Sequence, residues 1–206
     1  MARTDVPFYR QTLDFSCGSA CILMVLGHFD PGFVLNRNAE IDIWREGTSV
    51  LALGMGRYGL SFPLVSRGYR VEVTTNSGDI DFMPRIKERL NPNQFEQFRN
   101  LYFERRERVL GMGLVESRRE DISIDTVRTT IEGGGIPIVL TNAKELGDDD
   151  APHWVVFTGV EDGTFTINNP LDSAGGSSFG SAEFNRISGF RGEKTLVSVF
   201  DRANGR

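Results

Sequence analysis

The stretch Gln11-Thr-Leu-Asp-Phe-Ser-Cys17-Gly-Ser-Ala-Cys21-Ile-Leu-Met-Val-Leu26 places a cysteine where an apolar helix begins. Small residues follow Ser16, and apolar residues then recur at the spacing of one buried face. This pattern predicts a helix over residues 15–29 with Ser16 as its cap. A thiol at a helix N-terminus lies near unpaired N–H groups and the positive end of the helix dipole, which lowers its pKa. Cys17 is therefore a candidate nucleophile.

Few residues can complete a cysteine–histidine site, because the chain has one other cysteine and two histidines. His28 follows Cys17 by eleven residues. On one helix that is a rise of about 16 Å, too far for a hydrogen bond. His153 is the better candidate, since it follows an acidic loop at 147–152 and opens an apolar strand. The plainer alternative is a surface histidine at a strand start.

A histidine that takes the proton of a thiol needs a third group to fix its ring. The next predicted strand ends at Asn168 and Asn169, and adjacent antiparallel strands joined by a short turn bring one strand start near the other strand end. Asn169 is the first choice for the group that fixes the ring, with Asn168 and Asp172 as lesser candidates.

An acyl-transfer site also needs donors for the developing oxyanion. The backbone N–H of Cys17 and the side-chain amide of Gln11 are the candidates.

Four parts of the sequence resemble the motifs of one enzyme family: Gln11, Asp14-Phe-Ser-Cys-Gly-Ser-Ala-Cys21, Pro152-His-Trp-Val-Val-Phe-Thr-Gly159 and Asn168-Asn-Pro170. These are similar to the Gln, Cys-Gly-x-Ala-Cys, His-Trp/Tyr-Val-Val and Asn-Asp-Pro blocks of the papain-like, C39-like peptidases that process bacteriocins at double-glycine leaders. The likeness is greater to stand-alone relatives that lack a transporter. It extends to the helical middle and to Trp44-Arg-Glu46, and so covers most of the chain.

The resemblance implies a papain-like fold in which Cys17 is the nucleophile, His153 the base and Gln11 a part of the oxyanion hole. The chain departs from the family pattern at Asn169, where the family usually has aspartate before proline. Papain itself has asparagine in that role. A neutral amide nevertheless stabilises an imidazolium less than a carboxylate does.

Helical patterns gather early in the chain and strand patterns late, which favours an α+β fold over an alternating parallel sheet. We expect N-terminal helices packed on a C-terminal antiparallel sheet, in a single domain over residues 1–206 with a helical excursion at about 82–118. Besides the first helix, the predicted helices cover residues 38–44, 58–66 and 122–132. The predicted strands cover residues 69–75, 136–141, 153–160, 163–168 and 195–200.

Composition excludes several classes of protein. The net charge of −5 and pI near 5.2 argue against nucleic-acid binding, which needs clustered Lys and Arg. The N-terminus lacks an apolar signal region, and no apolar stretch approaches the roughly 18 residues of a membrane span. We therefore expect a cytoplasmic protein with free thiols, no membrane insertion, no metal and no cofactor.

The run Gly54-Met-Gly56-Arg-Tyr-Gly59 matches G-x-G-x-x-G, but no other feature supports a nucleotide site.

The leading functional hypothesis is a cysteine peptidase or related amide hydrolase acting on a peptide or protein substrate through Cys17, His153 and Asn169. An acyltransferase on the same site is the first alternative, because both reactions pass through the same thioester. A noncatalytic peptide-binding module with the same fold is the second, and Asn169 is its main support.

Overall fold

The computed structural model describes residues 2–49, 51 and 53–202. The helices in that part of the chain are α1 (Cys17–Phe29), α2 (Arg37–Gly47), α3 (Arg57–Val65), α4 (Met83–Arg89), α5 (Pro92–Gly111), α6 (Ile124–Glu132) and α7 (Phe184–Ile187). None of them is at once long enough and apolar enough to cross a bilayer. The helices predicted over residues 15–29, 38–44, 58–66 and 122–132 correspond to α1, α2, α3 and α6, each within a few residues of its expected bounds.

The strands are β1 (Ala2–Arg3), β2 (Arg70–Thr75), β3 (Val115–Arg118), β4 (Ile136–Asn142), β5 (Pro152–Glu161), β6 (Thr164–Asn168), β7 (Ser177–Gly180) and β8 (Thr195–Phe200). They form one sheet in the order β3-β2-β8-β4-β5-β6-β7, and β1 pairs with β5. Neighbouring strands are antiparallel except β2 and β3, which are parallel. The α+β class is confirmed, with this one parallel pair as a departure from the expected antiparallel sheet.

The segment expected to be a helical excursion contains α4 and α5 but ends in β3. The four residues of β3 pair with β2, and Val115 remains exposed. A short strand with one exposed side gives little alternation of apolar and polar residues, so the sequence pattern did not reveal it. The structure therefore corrects the end of the predicted helical segment.

Helix α1 is buried on every side, whereas the sequence suggested one buried face. All nine residues from Gly18 to Leu26 are buried. The helix contacts α2, α3 and β5. A helix that is apolar all round belongs in a protein interior, and this position fixes the start of α1 relative to the sheet.

The sheet is covered on both faces. One apolar cluster joins α1 and α3 to the sheet through side chains such as Leu23, Leu60 and Val156. A second cluster on the other face joins α6 and α7 to Phe157 and Phe165. Strand β5 contributes to both clusters, so the eight residues from His153 to Val160 are all buried. The strand that carries His153 is thus central in the molecule.

Two glycines of the helical half allow α2 and α3 to touch through their backbones. A Cβ atom added to Gly59 would lie 2.3 Å from the carbonyl oxygen of Gly47, and one added to Gly47 would lie 2.6 Å from that of Gly59. Real Cβ atoms do not approach so closely. The G-x-G-x-x-G run therefore serves helix packing at its last glycine.

A buried ion pair ties α3 to the loop before α4. The Arg57 guanidinium donates to Asp81 Oδ1 at 2.7 Å, its backbone N–H donates to Asp81 Oδ2 at 2.6 Å, and both side chains are 2% exposed. Burial, followed by the charge of Asp81, raises the pKa of the neighbouring Glu193 to about 8. Glu193 Oε1 lies 3.7 Å from the same guanidinium, farther than Asp81 Oδ1, so Asp81 is the main partner of Arg57.

We predict that Arg57→Met destabilises the fold by about 3–5 kcal/mol, because it leaves the Asp81 carboxylate buried without its cation. Urea unfolding measures the loss. The control is Arg128→Met, which removes an exposed i,i+3 pair with Asp125 and is expected to cost less than about 1 kcal/mol. Equal midpoints for the two variants would contradict a structural role for the buried pair.

Candidate active site

Cys17, His153 and Asn169 come together where α1 begins and where strands β5 and β6 share an end. Cys17 is the first residue of α1, and His153 is the second residue of β5. Strands β5 and β6 are antiparallel with Val156 opposite Asn168, so Asn169 follows β6 at the end where β5 starts. The sequence-predicted juxtaposition of these three residues is therefore present.

The ring of His153 is held by Asn169. His153 Nε2 lies 2.8 Å from Asn169 Oδ1, which also accepts the backbone N–H of Leu171 at 3.1 Å. Asn169 Nδ2 donates to Asp172 Oδ1 at 2.8 Å. These partners fix which end of the amide faces the ring, because an amide nitrogen cannot accept the Leu171 N–H. It follows that His153 Nε2 carries a hydrogen and that the other ring nitrogen, Nδ1, is the one available to the thiol.

The sulfur of Cys17 lies among hydrogen-bond donors. Burial by itself raises the pKa of the thiol, but the charge and side-chain hydrogen bond of His153 outweigh it, and the backbone groups of Trp154 and Gly18 add to them. The pKa of Cys17 is therefore below its ordinary value. The two backbone donors come from different elements, Gly18 from α1 and Trp154 from β5, so the sulfur sits at their junction.

The pKa of His153 moves in the opposite direction. Burial opposes the charged ring, but the charge of Cys17 and its hydrogen bond, then the hydrogen bond of Asn169 and the charge of Asp148, raise the pKa above its ordinary value. A lowered thiol pKa beside a raised imidazole pKa favours the thiolate–imidazolium pair over the neutral pair. This is the protonation state in which a cysteine attacks a carbonyl carbon.

Gln11 reaches the same site from the segment before α1. Its backbone N–H donates to the carbonyl of Pro170 at 3.0 Å, and its side-chain Nε2 donates to the carbonyl of Leu13 at 2.8 Å. An amide nitrogen has two hydrogens, so this bond leaves one for another acceptor. The backbone N–H of Cys17 is the second candidate donor, because the first N–H groups of a helix have no intrahelical partner.

The remaining candidates from the sequence have other positions. Asn168 donates to the carbonyl of Val6 at 3.1 Å and accepts from the backbone of Gly176, so it joins two loops. Asp172 contacts Asn169 and accepts from Ser177, and so supports the amide from behind. His28, set aside in the sequence, is half-buried, and its Nδ1 lies 2.6 Å from the carbonyl oxygen of Asp5.

Cys21 and Trp154 pack beneath the candidate nucleophile. Cys21 is a separate thiol, fully buried, and its sulfur donates to the carbonyl of Trp154 at 3.3 Å. Burial, followed by the charge of Cys17, raises the pKa of Cys21 well above its ordinary value. The indole N–H of Trp154 donates to the carbonyl of Met55 at 2.9 Å. Of the two thiols, Cys17 is therefore the one that ionises readily.

A cavity of about 780 Å³ opens beside Cys17 and His153. Ligand cavities in proteins typically measure about 300–1,000 Å³. Its walls come from the connection between α2 and α3, from α4 and α5, and from the loop before β5. They include the apolar side chains Leu51, Leu53, Ile86, Leu90, Phe98 and Leu101, and the charged side chains Asp14, Arg85, Arg89, Asp148 and Asp149. The cavity beside the candidate site therefore has both apolar and charged walls.

The sequence did not reveal one residue of the site region, Glu40. Its side chain lies in α2 and is fully buried, yet it accepts hydrogen bonds from the segment that carries Gln11. Helix α2 also carries the exposed Asp42 and the half-buried Glu46, and nothing in the local pattern distinguishes Glu40 from them. Only the folded chain shows which acid points inward.

The chain matches the family model described as the Peptidase_C39 like family over residues 6–188. Its fold is similar to the peptidase domain of Streptococcus ComA, a bifunctional ABC transporter involved in a quorum-sensing pathway, with a TM-score of 0.51 and 11% identity over 96% of this chain and 99% of that one. It is also similar to a C39-like peptidase from Bacillus anthracis, with a TM-score of 0.53 and 14% identity over 96% of each chain.

No curated protein matches the sequence. At these identities the structural likeness establishes the fold, and the expected papain-like architecture is confirmed. The family match covers most of the 206 residues, from before Gln11 to beyond Asp172. The chain therefore belongs to the Peptidase_C39 like family.

Proposed function

We propose that this protein is a cysteine peptidase that hydrolyses a peptide bond with Cys17 as nucleophile, His153 as general base and acid, Asn169 as the group that orients the ring, and Gln11 as an oxyanion donor. The observation that carries the proposal is the hydrogen-bonded series Cys17–His153–Asn169 at the edge of an open cavity. A buried structural histidine has no need of an ionisable thiol beside it.

In the first half of the reaction, the Cys17 thiolate attacks the scissile carbonyl carbon and the π electrons move onto the carbonyl oxygen. That oxygen accepts hydrogen bonds from the Cys17 N–H and from the free hydrogen of the Gln11 amide. The C–N bond then breaks, and the His153 imidazolium gives its proton to the departing amine. A thioester remains on Cys17.

In the second half, neutral His153 takes a proton from water, and the resulting hydroxide adds to the thioester carbon. The C–S bond breaks, the acid product leaves, and the proton on His153 re-forms the ion pair with the thiolate. Asn169 accepts from Nε2 throughout, so Nδ1 points at the reacting atoms in both halves. The cycle consumes one water molecule and requires no metal or cofactor.

The substrate in this proposal is a peptide or an unstructured segment of a protein. The cavity offers apolar side chains on the side of α5 and acidic ones near His153, where Asp148 and Asp149 lie. This acidic edge and the net charge of −5 disfavour nucleic acid. A nucleophilic thiolate also needs a reducing environment to persist, which is consistent with a cytoplasmic location.

We predict that Cys17→Ala abolishes cleavage of a peptide library analysed by mass spectrometry and abolishes labelling by iodoacetamide. The matched control is Cys21→Ala, because Cys21 is buried with a raised pKa and should neither be labelled nor be needed for turnover. Cleavage that persists in Cys17→Ala would refute the nucleophile assignment. Product masses that include an added amine would instead assign acyl transfer, and labelling without any cleavage would favour the noncatalytic binding module.

The pH dependence follows from the two pKa directions. Activity should appear as pH rises through the lowered pKa of Cys17, below the ordinary thiol value of 9, and should be lost as pH rises through the raised pKa of His153, above 6.5. The two limits belong to the coupled pair and not to either residue alone. The rate of iodoacetamide labelling against pH measures the first limit. A labelling midpoint at or above 9 would show that no ion pair forms.

Asn169→Ala tests how the ring is oriented. We expect kcat to fall by about 10²-fold, as for a misplacement of about 1 Å, and the alkaline limit to move to lower pH, since a hydrogen bond that raises the His153 pKa is lost. The adjacent Asn168→Ala is the matched control, because Asn168 bonds only to loop backbone in this structure. An alkaline limit that moves with Asn168 and not with Asn169 would reverse the assignment.

A further inference from the structure

Glu40 occupies an unusual position for an acidic residue. Its side chain is 0% exposed, and the groups around its two oxygens are hydroxyls and an amide. Oε1 accepts the Thr12 N–H at 2.9 Å and the Ser16 hydroxyl at 2.6 Å, while Oε2 accepts the Thr12 hydroxyl at 2.6 Å and the Tyr9 hydroxyl at 3.1 Å. A buried carboxylate is costly unless such donors satisfy it.

All four donors belong to the short segment that precedes α1. Residues 4–16 have no helical or strand ladder to fix their backbone. Gln11 lies between two residues that bond to Glu40, Tyr9 and Thr12, and Ser16 adjoins Cys17. A single carboxylate on α2 therefore bonds to this segment on both sides of Gln11 and immediately before Cys17.

Ser16, which directly precedes α1, also bonds to Glu40 through its side chain. A serine at this position usually accepts a hydrogen bond from the first turn, and the sequence predicted Ser16 as such a cap. The residue is indeed the one before α1, but its side chain makes no capping bond. Its hydroxyl contacts Glu40 and the Leu13 backbone instead. Ser16 is therefore the N-cap residue, as predicted, but its hydroxyl bonds to Glu40 and not to the first turn of the helix.

The hydroxyl of Tyr9 stays protonated in this environment. Burial, followed by the charge and hydrogen bond of Glu40, raises its pKa to about 12. It can therefore donate at any pH at which the peptidase would work. The opposite side of the segment is joined to the turn after β6, since the Gln11 N–H donates to the carbonyl of Pro170 at 3.0 Å. The segment thus spans from α2 to the turn that carries Asn169.

We propose that Glu40 is a positioning residue for the oxyanion hole: by accepting four hydrogen bonds from Tyr9, Thr12 and Ser16 it holds the Gln11 amide and the Cys17 N–H toward the reacting carbonyl. This inference rests on the proposed function. It assigns Glu40 no contact with substrate and no proton transfer. It predicts that loss of these hydrogen bonds slows only the steps in which a carbonyl oxygen becomes an alkoxide.

The test is Glu40→Gln, which keeps the size of the side chain but turns two acceptor positions into a donor group. For the best peptide from the library, kcat should fall by about 10²-fold with KM nearly unchanged, as when an oxyanion donor is misplaced. Alkylation of Cys17 by iodoacetamide forms no oxyanion, so its rate should change by less than about threefold. The matched control, Asp42→Asn on the same helix, removes an exposed acid and should alter neither rate.

Thr12→Val provides a second variant in case Glu40→Gln fails to fold. Thr12 is exposed, and the change removes only its hydroxyl from the four donors. We expect the same pattern with a smaller loss of kcat, about tenfold or less. Wild-type kcat in Glu40→Gln, or in Thr12→Val where the first does not fold, would overturn the proposal. So would a loss of alkylation in parallel with hydrolysis, since that would place the defect in the nucleophile.

If the wild-type protein cleaves no peptide, the proposed function fails, and the inference about Glu40 is still measurable. Acetyl-glycyl-glycinal, a small peptide aldehyde, adds reversibly to a thiolate: the sulfur bonds to the aldehyde carbon, and the π pair moves onto oxygen, which becomes an alkoxide held by the oxyanion donors while the imidazolium keeps its proton. Its Kd for Cys17 should rise about 10²-fold in Glu40→Gln but not in Asp42→Asn. An unchanged Kd would overturn the positioning role by itself.

Discussion

The junction between the start of α1 and the start of β5 is the constraint on which the candidate site depends. The sulfur of Cys17 takes backbone hydrogen bonds from Gly18 on the helix and Trp154 on the strand, and both partners are fixed because their elements are buried. An anionic sulfur is stabilised by oriented dipoles only while they cannot turn away. The burial of α1 and β5 therefore has an electrostatic consequence, since it holds two N–H groups on one atom.

Burial and charge oppose each other at this junction. Desolvation disfavours both the thiolate of Cys17 and the imidazolium of His153, and each charge is favoured chiefly by the other, with neighbouring hydrogen bonds adding to the effect. The ion pair is thus conditional on the ring staying in place. In the proposed mechanism Asn169 supplies that condition. Arg57 belongs to a separate buried pair with Asp81, which joins α3 to the loop before α4.

What the sequence could predict was local. Cys17 stands at a helix start, and His153 and Asn169 stand at the ends of two strands joined by a short turn, so period and turn signals were enough to place them at those ends. The same signals did not distinguish a site histidine from a surface histidine at a strand start. Glu40, the Arg57–Asp81 pair and strand β3 depend on partners far along the chain, and local patterns carry no information on those partners. The extent of α1 burial was missed for the same reason. The single-domain boundary stays a prediction.

Asn169 is the position at which the chain departs from the family pattern, and its surroundings show how an amide is directed at the ring. A carboxylate beside His153 would add a full negative charge to a site that already holds the thiolate. Here the carboxylate lies one step further away: Asp172 accepts from the Asn169 amide and from Ser177, and the amide oxygen is directed at the ring. Hydrogen bonds in such a series polarise one another. The ring thereby faces a neutral amide oxygen, while the Asp172 side chain bonds to the other end of that amide.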